Sequence, residues 1–392
     1  MNLLQRRLFI EHAKIFFLSM AVLLLFVLMG RALQLRELLL GLELDLVQVL
    51  KLFGYLSPFF LLIICPIACM LAIFLTFLRM STDRELVALK AGGVSLYQML
   101  PAPLIFSFCC ALFGFWISYS LQAWGMGNFR SSVLSIASSN ARIVIQPGVF
   151  NTDLPKMVLY AQKADPEEGI LANVMVEDRS RDGRMVILAP EGRLEADYEG
   201  GNLLFLLKNG RSYLLDDGAL AVMGFDEYAV QLSVDSLFKG IDLGPVKPKE
   251  YAWSRLFDPE QEKILKASKP RMQRKLLVER HKRFVFPLAC IILGLFVIPI
   301  AASFQGMKQQ SGVVLALLLF LVYYSLLMLG ISLGESGDVP PAIGLWLPNA
   351  LFLVAGCIAV RLSANERMPR ISDWLSEKWR ALRSKGNGEE AS

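Results

Sequence analysis

Residues 52–78 read LFGYLSPFFLLIICPIACMLAIFLTFL, a run without one charged side chain, bounded by Lys51 and Arg79. A hydrocarbon core about 30 Å thick needs roughly 20 helical residues to cross it, so this stretch is long enough to span a bilayer. Further charge-free blocks lie between Arg283 and Lys308, between Lys308 and Glu335, and between Asp338 and Arg361. Another runs from Ala91 to Phe129, with its best helical part at about 100–123. The shortest runs from Ile15 to Gly30, flanked by Lys14 and Arg31, whose long side chains can snorkel to the interface. Six spans are expected.

The composition agrees. Of 392 residues, 55% are hydrophobic and 19% charged, against about 25% charged in soluble domains. That excludes a disordered chain, a fibrous protein and an ordinary cytosolic enzyme. Arg6 and Arg7 before an apolar run look like the start of a signal peptide. No small-residue cleavage site follows, so the first span is read as uncleaved.

Orientation follows from basic residues in short loops. Arg6, Arg7 and Lys14, then Arg79, Arg84 and Lys90, then Lys308, then the tail from Arg361 to Lys385 give fourteen on one side. The other side has three, Arg31, Arg36 and Lys51. Both termini are therefore expected in the cytoplasm, and the long insert after the third span outside it. All six cysteines fall in apolar spans and none in the insert. Cys65 and Cys69 have no His or carboxylate nearby and read as small packing residues.

From about Arg142 the pattern becomes β-rich. Candidate strands are 142–146, 157–162, 170–177, 185–189, 193–198, 202–208, 211–215 and 219–231. Turn signals such as Pro147-Gly148, Pro190-Glu191-Gly192, Asn209-Gly210 and Asp217-Gly218 separate them. Short strands at this spacing predict an antiparallel sandwich or jelly roll. Two near-continuous apolar runs, Val158-Leu159-Tyr160 and Leu203 to Leu207, read either as strands buried on both faces or as a greasy interior for an acyl chain. Leu159, Leu204 and Leu206 are the acyl-path candidates.

The stretch from Asp258 to Arg283 is helical in pattern and rich in Lys and Arg, with Glu260, Glu262 and Glu279 interspersed. It reads either as a solvated helix or as a site for a polyanion, since guanidinium and ammonium groups pair well with phosphate. Catalytic chemistry is missing from the sequence. The two histidines, His12 and His281, stand far apart, and no metal-binding motif, serine-hydrolase elbow or phosphate loop occurs. No cofactor, metal or nucleic-acid partner is expected. Ionisable groups are scarce inside the spans, whereas ion-coupled carriers need them. A chain of this kind takes its energy from a partner. The segment Ser81-Thr82-Asp83-Arg84-Glu85-Leu86-Val87-Ala88-Leu89-Lys90-Ala91-Gly92-Gly93-Val94-Ser95 is the candidate contact. Thr82 or Asp83 can cap a short helix and Gly92-Gly93 can end it. The resulting amphipathic rod suits either a groove on a soluble subunit or the lipid interface.

This segment, the opening Arg6-Arg7-Leu8-Phe9-Ile10-Glu11 and the layout of three spans, β-domain and three spans together resemble the permease subunits of the lipopolysaccharide export system, LptF and LptG, over nearly the whole chain. Asp226-Glu227-Tyr228 and Pro299-Ile300-Ala301 look closer to the LptF type. The resemblance implies an α-helical polytopic membrane protein with six transmembrane helices and an inserted all-β periplasmic jellyroll domain, in the inner membrane. Residues 1–129 would hold spans one to three, with a cytoplasmic coupling helix near 82–92. Residues 130–257 would form the β-domain, 258–283 a basic connector, 284–363 spans four to six, and 364–392 a basic cytoplasmic tail. The implied partners are an ABC ATPase dimer of LptB type, a second permease paralogue of LptG type, an LptC-type bridge protein and lipopolysaccharide itself. The permease is then a non-catalytic subunit, and ATP is hydrolysed by the partner. Glu85 matches the coupling-helix glutamate, with Arg84, Leu86 and Leu89 around it. Arg31 matches a basic residue facing lipid A phosphates, although Gln34 stands where a second basic residue is expected. Arg36 would substitute for that residue, and Arg130, Arg280, Lys282 and Arg283 join as head-group candidates on charge and location. Two other readings are a membrane-anchored periplasmic scaffold, and an ABC permease for another lipid or a lipoprotein.

Overall fold

The computed structural model describes residues 3–34, 45–144, 146–151, 157–165, 170–178, 184–216, 219–233, 243–260, 270–303 and 309–365. They form two compact units, one of residues 1–27, 58–123 and 252–392, the other of residues 28–57 and 124–251. Among the described residues, six helical runs are long and apolar enough to cross a membrane: Leu3–Gln34, Leu46–Thr82, Leu96–Ser139, Pro270–Ser303, Gly312–Ser336 and Pro341–Ala364. They are the six spans expected from hydropathy.

The helices are α1 (Leu3–Gln34), α2 (Leu46–Thr82), α3 (Glu85–Ala91), α4 (Leu96–Met99), α5 (Pro101–Trp116), α6 (Gln122–Val144), α7 (Trp253–Leu256), α8 (Pro270–Ser303), α9 (Gln309–Ser336) and α10 (Pro341–Ala364). In the first unit α2 and α8 are the central helices. The most apolar window of α2 is 83% buried and that of α8 72%, against 6% for α1. Small side chains let α2, α5 and α8 approach closely, as membrane helices require in the absence of a hydrophobic drive between them. The Cys65 thiol lies 3.9 Å from that of Cys290 and Cys69 3.7 Å from the Ser107 hydroxyl. A Cβ on Gly114 would touch Pro287 Cα at 3.6 Å. The thiols pack, as their sequence context suggested. On the other side of α8, the Tyr323 hydroxyl donates to Asn349 Oδ1 at 2.7 Å, and Asn349 Nδ2 donates to the Val285 carbonyl. These bonds tie α8, α9 and α10 with buried polar groups that satisfy one another.

Helix α1 attaches through one stripe, Leu8, His12 and Phe16, spaced four apart. The Thr76 hydroxyl donates to the Ala72 carbonyl, so its oxygen is left to accept from His12 Nδ1 at 3.0 Å. Between α5 and α6 the helix widens into a π turn, Ile117–Leu121. Such turns free a carbonyl from the α pattern. Here the Ser118 carbonyl accepts from Arg283 Nη1 at 2.9 Å and from the Trp253 indole at 3.1 Å.

The second unit is built on β1 (Phe150–Asn151), β2 (Met157–Asp165), β3 (Ile170–Asp178), β4 (Arg184–Asp197), β5 (Asn202–Asp216) and β6 (Ala219–Ser233). They form one antiparallel sheet in the order β1-β2-β3-β4-β5-β6. The inserted all-β domain is therefore present. Its described strands run as a simple meander, and no jelly-roll crossover occurs among them. Leu52 of α2 and Val133, Leu134 and Ala137 of α6 pack with Leu159, Val176, Ile187 and Phe205 in its core.

Three strand expectations are corrected. The proposed strand 142–146 does not form, because α6 runs on to Val144. The pairs 185–189 with 193–198, and 202–208 with 211–215, are each one long strand, β4 and β5. The turn signals inside them mark a crease. Gln162, Asn173, Pro190, Asn209 and Asp226 stand opposite one another across β2 to β6, and this row is missing from the ladder. Asn173 and Asn209 both have φ of 51°, a left-handed conformation that Asn tolerates better than other non-glycine residues. Beyond the row the inward face changes parity. On β4 the buried positions are Met185, Ile187 and Ala189, then Gly192 and Leu194. On β5 they are Leu203, Phe205 and Leu207, then Gly210 and Ser212.

Candidate functional site

The segment after α2 reverses direction within three residues. The Asp83 amide bonds the Arg79 carbonyl at 2.8 Å and the Arg84 amide bonds Ser81 at 3.3 Å. Arg84 adopts φ of 59° and stands at the N-cap of α3 without a side-chain cap bond. The expected cap by Thr82 or Asp83 is absent: the Thr82 hydroxyl turns back to the Leu78 carbonyl at 2.9 Å. At the other end the glycines act as read from sequence. Gly92 and Gly93 bond the Ala88 and Lys90 carbonyls, and Gly93 takes φ of +84°. Ser95 and Gln98 then form a capping box that starts α4.

This two-turn helix is fixed by Leu86, which is 1% exposed, with Leu89 half-buried; Arg84, Val87 and Ala88 face outward. Glu85 is half-buried and has no ion pair among the described residues. It lines a cavity of about 390 Å3 together with Arg7, Leu8, Glu11, Met80 and Leu89. Glu11 Oε1 accepts from Arg79 Nη2 at 2.8 Å, and Arg7 Nε stands 3.6 Å from the same oxygen. Asp83 and Glu85 also act electrostatically on the Arg79 guanidinium. The coupling candidates Arg84, Glu85, Leu86 and Leu89 are thus brought together in one short element.

The head-group candidates are divided between the two units, Arg31 and Arg130 in one and Arg280, Lys282 and Arg283 in the other. Arg31 is exposed and its Nη1 donates to Gln34 Oε1 at 2.6 Å. Arg36 lies outside the described residues. Arg130 and Arg283 leave the set, because their charges are spent inside. Arg130 pairs with Glu250 at 2.7 Å with both side chains under a tenth exposed, and bonds the carbonyls of Tyr198, Leu243 and Gly244. The Arg283 side chain is fully buried between the Ser118 carbonyl and Glu279. Arg280 is half-buried, bonding the Leu256 carbonyl at 2.8 Å with its guanidinium 5.5 Å from the Phe257 ring centre. Lys282 keeps a quarter of its side chain exposed and stands 3.8 Å from Glu279. In the other unit Lys51 lines a cavity of about 350 Å3 with Gln48, Ser131, Ser132, Ser135 and Tyr198. Sequence reasoning counted Lys51 only for orientation. The serines lie some eighty positions away in the chain and Tyr198 farther still, which no local pattern reveals.

The acyl-path candidates divide between two faces. Leu159 is fully buried in the sheet core, whereas Leu204 and Leu206 alternate with the buried Leu203, Phe205 and Leu207 and point to the other face, half-buried.

Comparison with known proteins decides what this layout belongs to. The sequence profile described as "Lipopolysaccharide export system permease LptF/LptG" matches residues 6–362. The chain belongs to the LptF/LptG family. An uncharacterized protein of Rickettsia prowazekii (strain Madrid E) is 22% identical over 256 residues, covering 65% of this chain and 69% of that protein. As an LptF/LptG permease the chain is a lipopolysaccharide export subunit, non-catalytic, and a multi-pass inner-membrane protein.

Proposed function

We propose that this LptF/LptG permease is the LptF-type half of an ABC exporter. It pairs with an LptG-type paralogue and is driven by an LptB-type ATPase dimer. The pair extracts lipopolysaccharide from the inner membrane and hands it to an LptC-type bridge through the β-domain. Both termini lie in the cytoplasm and the β-domain in the periplasm, a placement supported by the fourteen-to-three excess of basic residues on the N-terminal side. The observation that carries the reading is α3: a short helix pinned by Leu86, outward-facing at Arg84, Val87 and Ala88, with the Glu85 carboxylate not ion-paired among the described residues. An unpaired carboxylate of this kind matches a cationic side chain on a soluble motor subunit. Arg31, Arg280 and Lys282 remain the proposed contacts for lipid phosphates. Leu204 and Leu206 remain the proposed acyl contacts.

The test is purification of the tagged chain from its native membrane, followed by reconstitution. An ABC-type ATPase and a second six-span permease co-purify, and Glu85→Lys abolishes lipid-coupled ATP hydrolysis while the chain still folds. A chain that comes alone, or with periplasmic proteins only, overturns the reading in favour of a scaffold.

A further inference from the structure

The crease across the sheet has a cavity beside it. Register places Tyr160, Met175, Leu188 and Arg211 opposite one another on β2 to β5, two rows from Asn173, Pro190 and Asn209, with Val174, Ala189 and Gly210 between. Together with Tyr213, these rows line a space of about 470 Å3, within the range of about 300–1,000 Å3 that small-ligand sites occupy. The space lies along the crease, where Asn173 and Asn209 take left-handed backbone and both line it.

Its chemistry is specific. Arg211 is exposed, and its guanidinium has no ion pair or hydrogen bond among the described residues. Among the described residues, no carboxylate lines the cavity. The Asn209 amide, one donor group and one acceptor, is exposed beside it. The Asn173 amide is held by Gln162 Oε1 at 2.6 Å. Tyr160 and Tyr213 are half-buried, each an apolar ring with a polar tip. Met175, Leu188 and Pro190 complete an apolar wall.

We propose that this cavity binds an anionic oligosaccharide. The C–H face of a sugar ring lies on the tyrosine rings and the apolar wall. An amide such as Asn209 serves a pair of adjacent hydroxyls with one donor and one acceptor. The guanidinium of Arg211 takes a phosphate or carboxylate substituent in its two-pronged geometry. The position on the face away from the core separates this sugar site from the apolar residues that pack inside the sheet. The choice of saccharide rests on the proposed export function. The cavity and its Arg211 guanidinium do not.

The test uses the full chain in detergent. The probe is the lipid-free, phosphorylated oligosaccharide released from lipopolysaccharide by mild acid, followed by calorimetry. Wild type binds it saturably, and Arg211→Gln weakens binding at least tenfold. Enzymatic removal of phosphate from the probe weakens wild-type binding equally and adds nothing to Arg211→Gln. Absence of saturable binding, or equal affinity of wild type and Arg211→Gln, overturns the proposal. ATP-driven lipid release in the assembled complex is measured alongside. Release without oligosaccharide binding removes the sugar site and leaves the export reading. Binding without any co-purifying ATPase keeps the sugar site and removes the export reading.

Discussion

Arg130 and Glu250, 120 positions apart, form an ion pair of 2.7 Å with side chains 6% and 8% exposed. Removing one partner of a buried pair leaves the other charge uncompensated, which typically costs about 3–5 kcal/mol. Arg130→Ala and Glu250→Ala are therefore expected to lower the thermal unfolding midpoint of the chain in detergent. The double variant Arg130→Met with Glu250→Leu is expected to recover only part of the loss, because the Tyr198, Leu243 and Gly244 carbonyls still lose their donor. Lipid crosslinking per folded molecule should stay unchanged in all three, in keeping with a structural role.

Arg31 makes the opposite case. Its guanidinium is exposed, and its Nη1 donates to the nearby Gln34 Oε1. Arg31→Glu is expected to leave the unfolding midpoint within the error of measurement and to reduce photo-crosslinking of lipopolysaccharide by several fold. A midpoint that falls while crosslinking holds would assign Arg31 to the fold.

The His12–Thr76 bond is buried, and the Thr76 hydroxyl is already committed to Ala72. Thr76→Val removes the acceptor and strands the His12 N–H, a loss of about 1–3 kcal/mol. Thr76→Ser keeps the oxygen and should be close to wild type. The two midpoints compared in the same detergent decide the matter.

On α3, Leu86 is buried and Val87 is 44% exposed. Leu86→Ala opens a hole where the helix is pinned and is expected to cost about 2–5 kcal/mol at the upper limit, read as faster proteolysis at this loop. Val87→Asp should leave proteolysis unchanged and weaken retention of the ATPase during purification.

At the crease, Asn209 sits in a left-handed conformation. Asn209→Val forces a β-branched residue into it, at about 1–2 kcal/mol, whereas Asn209→Gly is tolerated. A lowered midpoint for Asn209→Val and one close to wild type for Asn209→Gly are the expected outcome.

Hydropathy alone was enough for the six spans, because a soluble core seldom has room for a charge-free helix as long as the bilayer is thick. The ends of α3 were half legible. Gly92 and Gly93 stop it as their backbone freedom dictates, but the start uses Arg84 in a conformation that no cap rule selects. The inserted strands were found as fragments. Pro190 and Asn209 carry the chemistry of a turn, and a turn and a crease ask the same of the backbone. Only the neighbouring strands tell them apart. The basic residues misled for a related reason. Arg130 and Arg283 look like free cations in the bare sequence, and their partners Glu250 and the π-turn carbonyl of Ser118 are supplied by the fold. Glu85 was singled out by its place in the short helix, and the fold leaves it half-buried with no ion pair among the described residues.

The crease also limits how this domain can change length. Losing one residue from a single strand there would restore that strand's own alternation and put it out of step with both neighbours. Insertions and deletions at the row from Gln162 to Asp226 must therefore arise in concert across five strands or not at all. Descendants of this chain are free to lengthen their hairpin loops, while the distance from crease to strand end is inherited as a fixed measure.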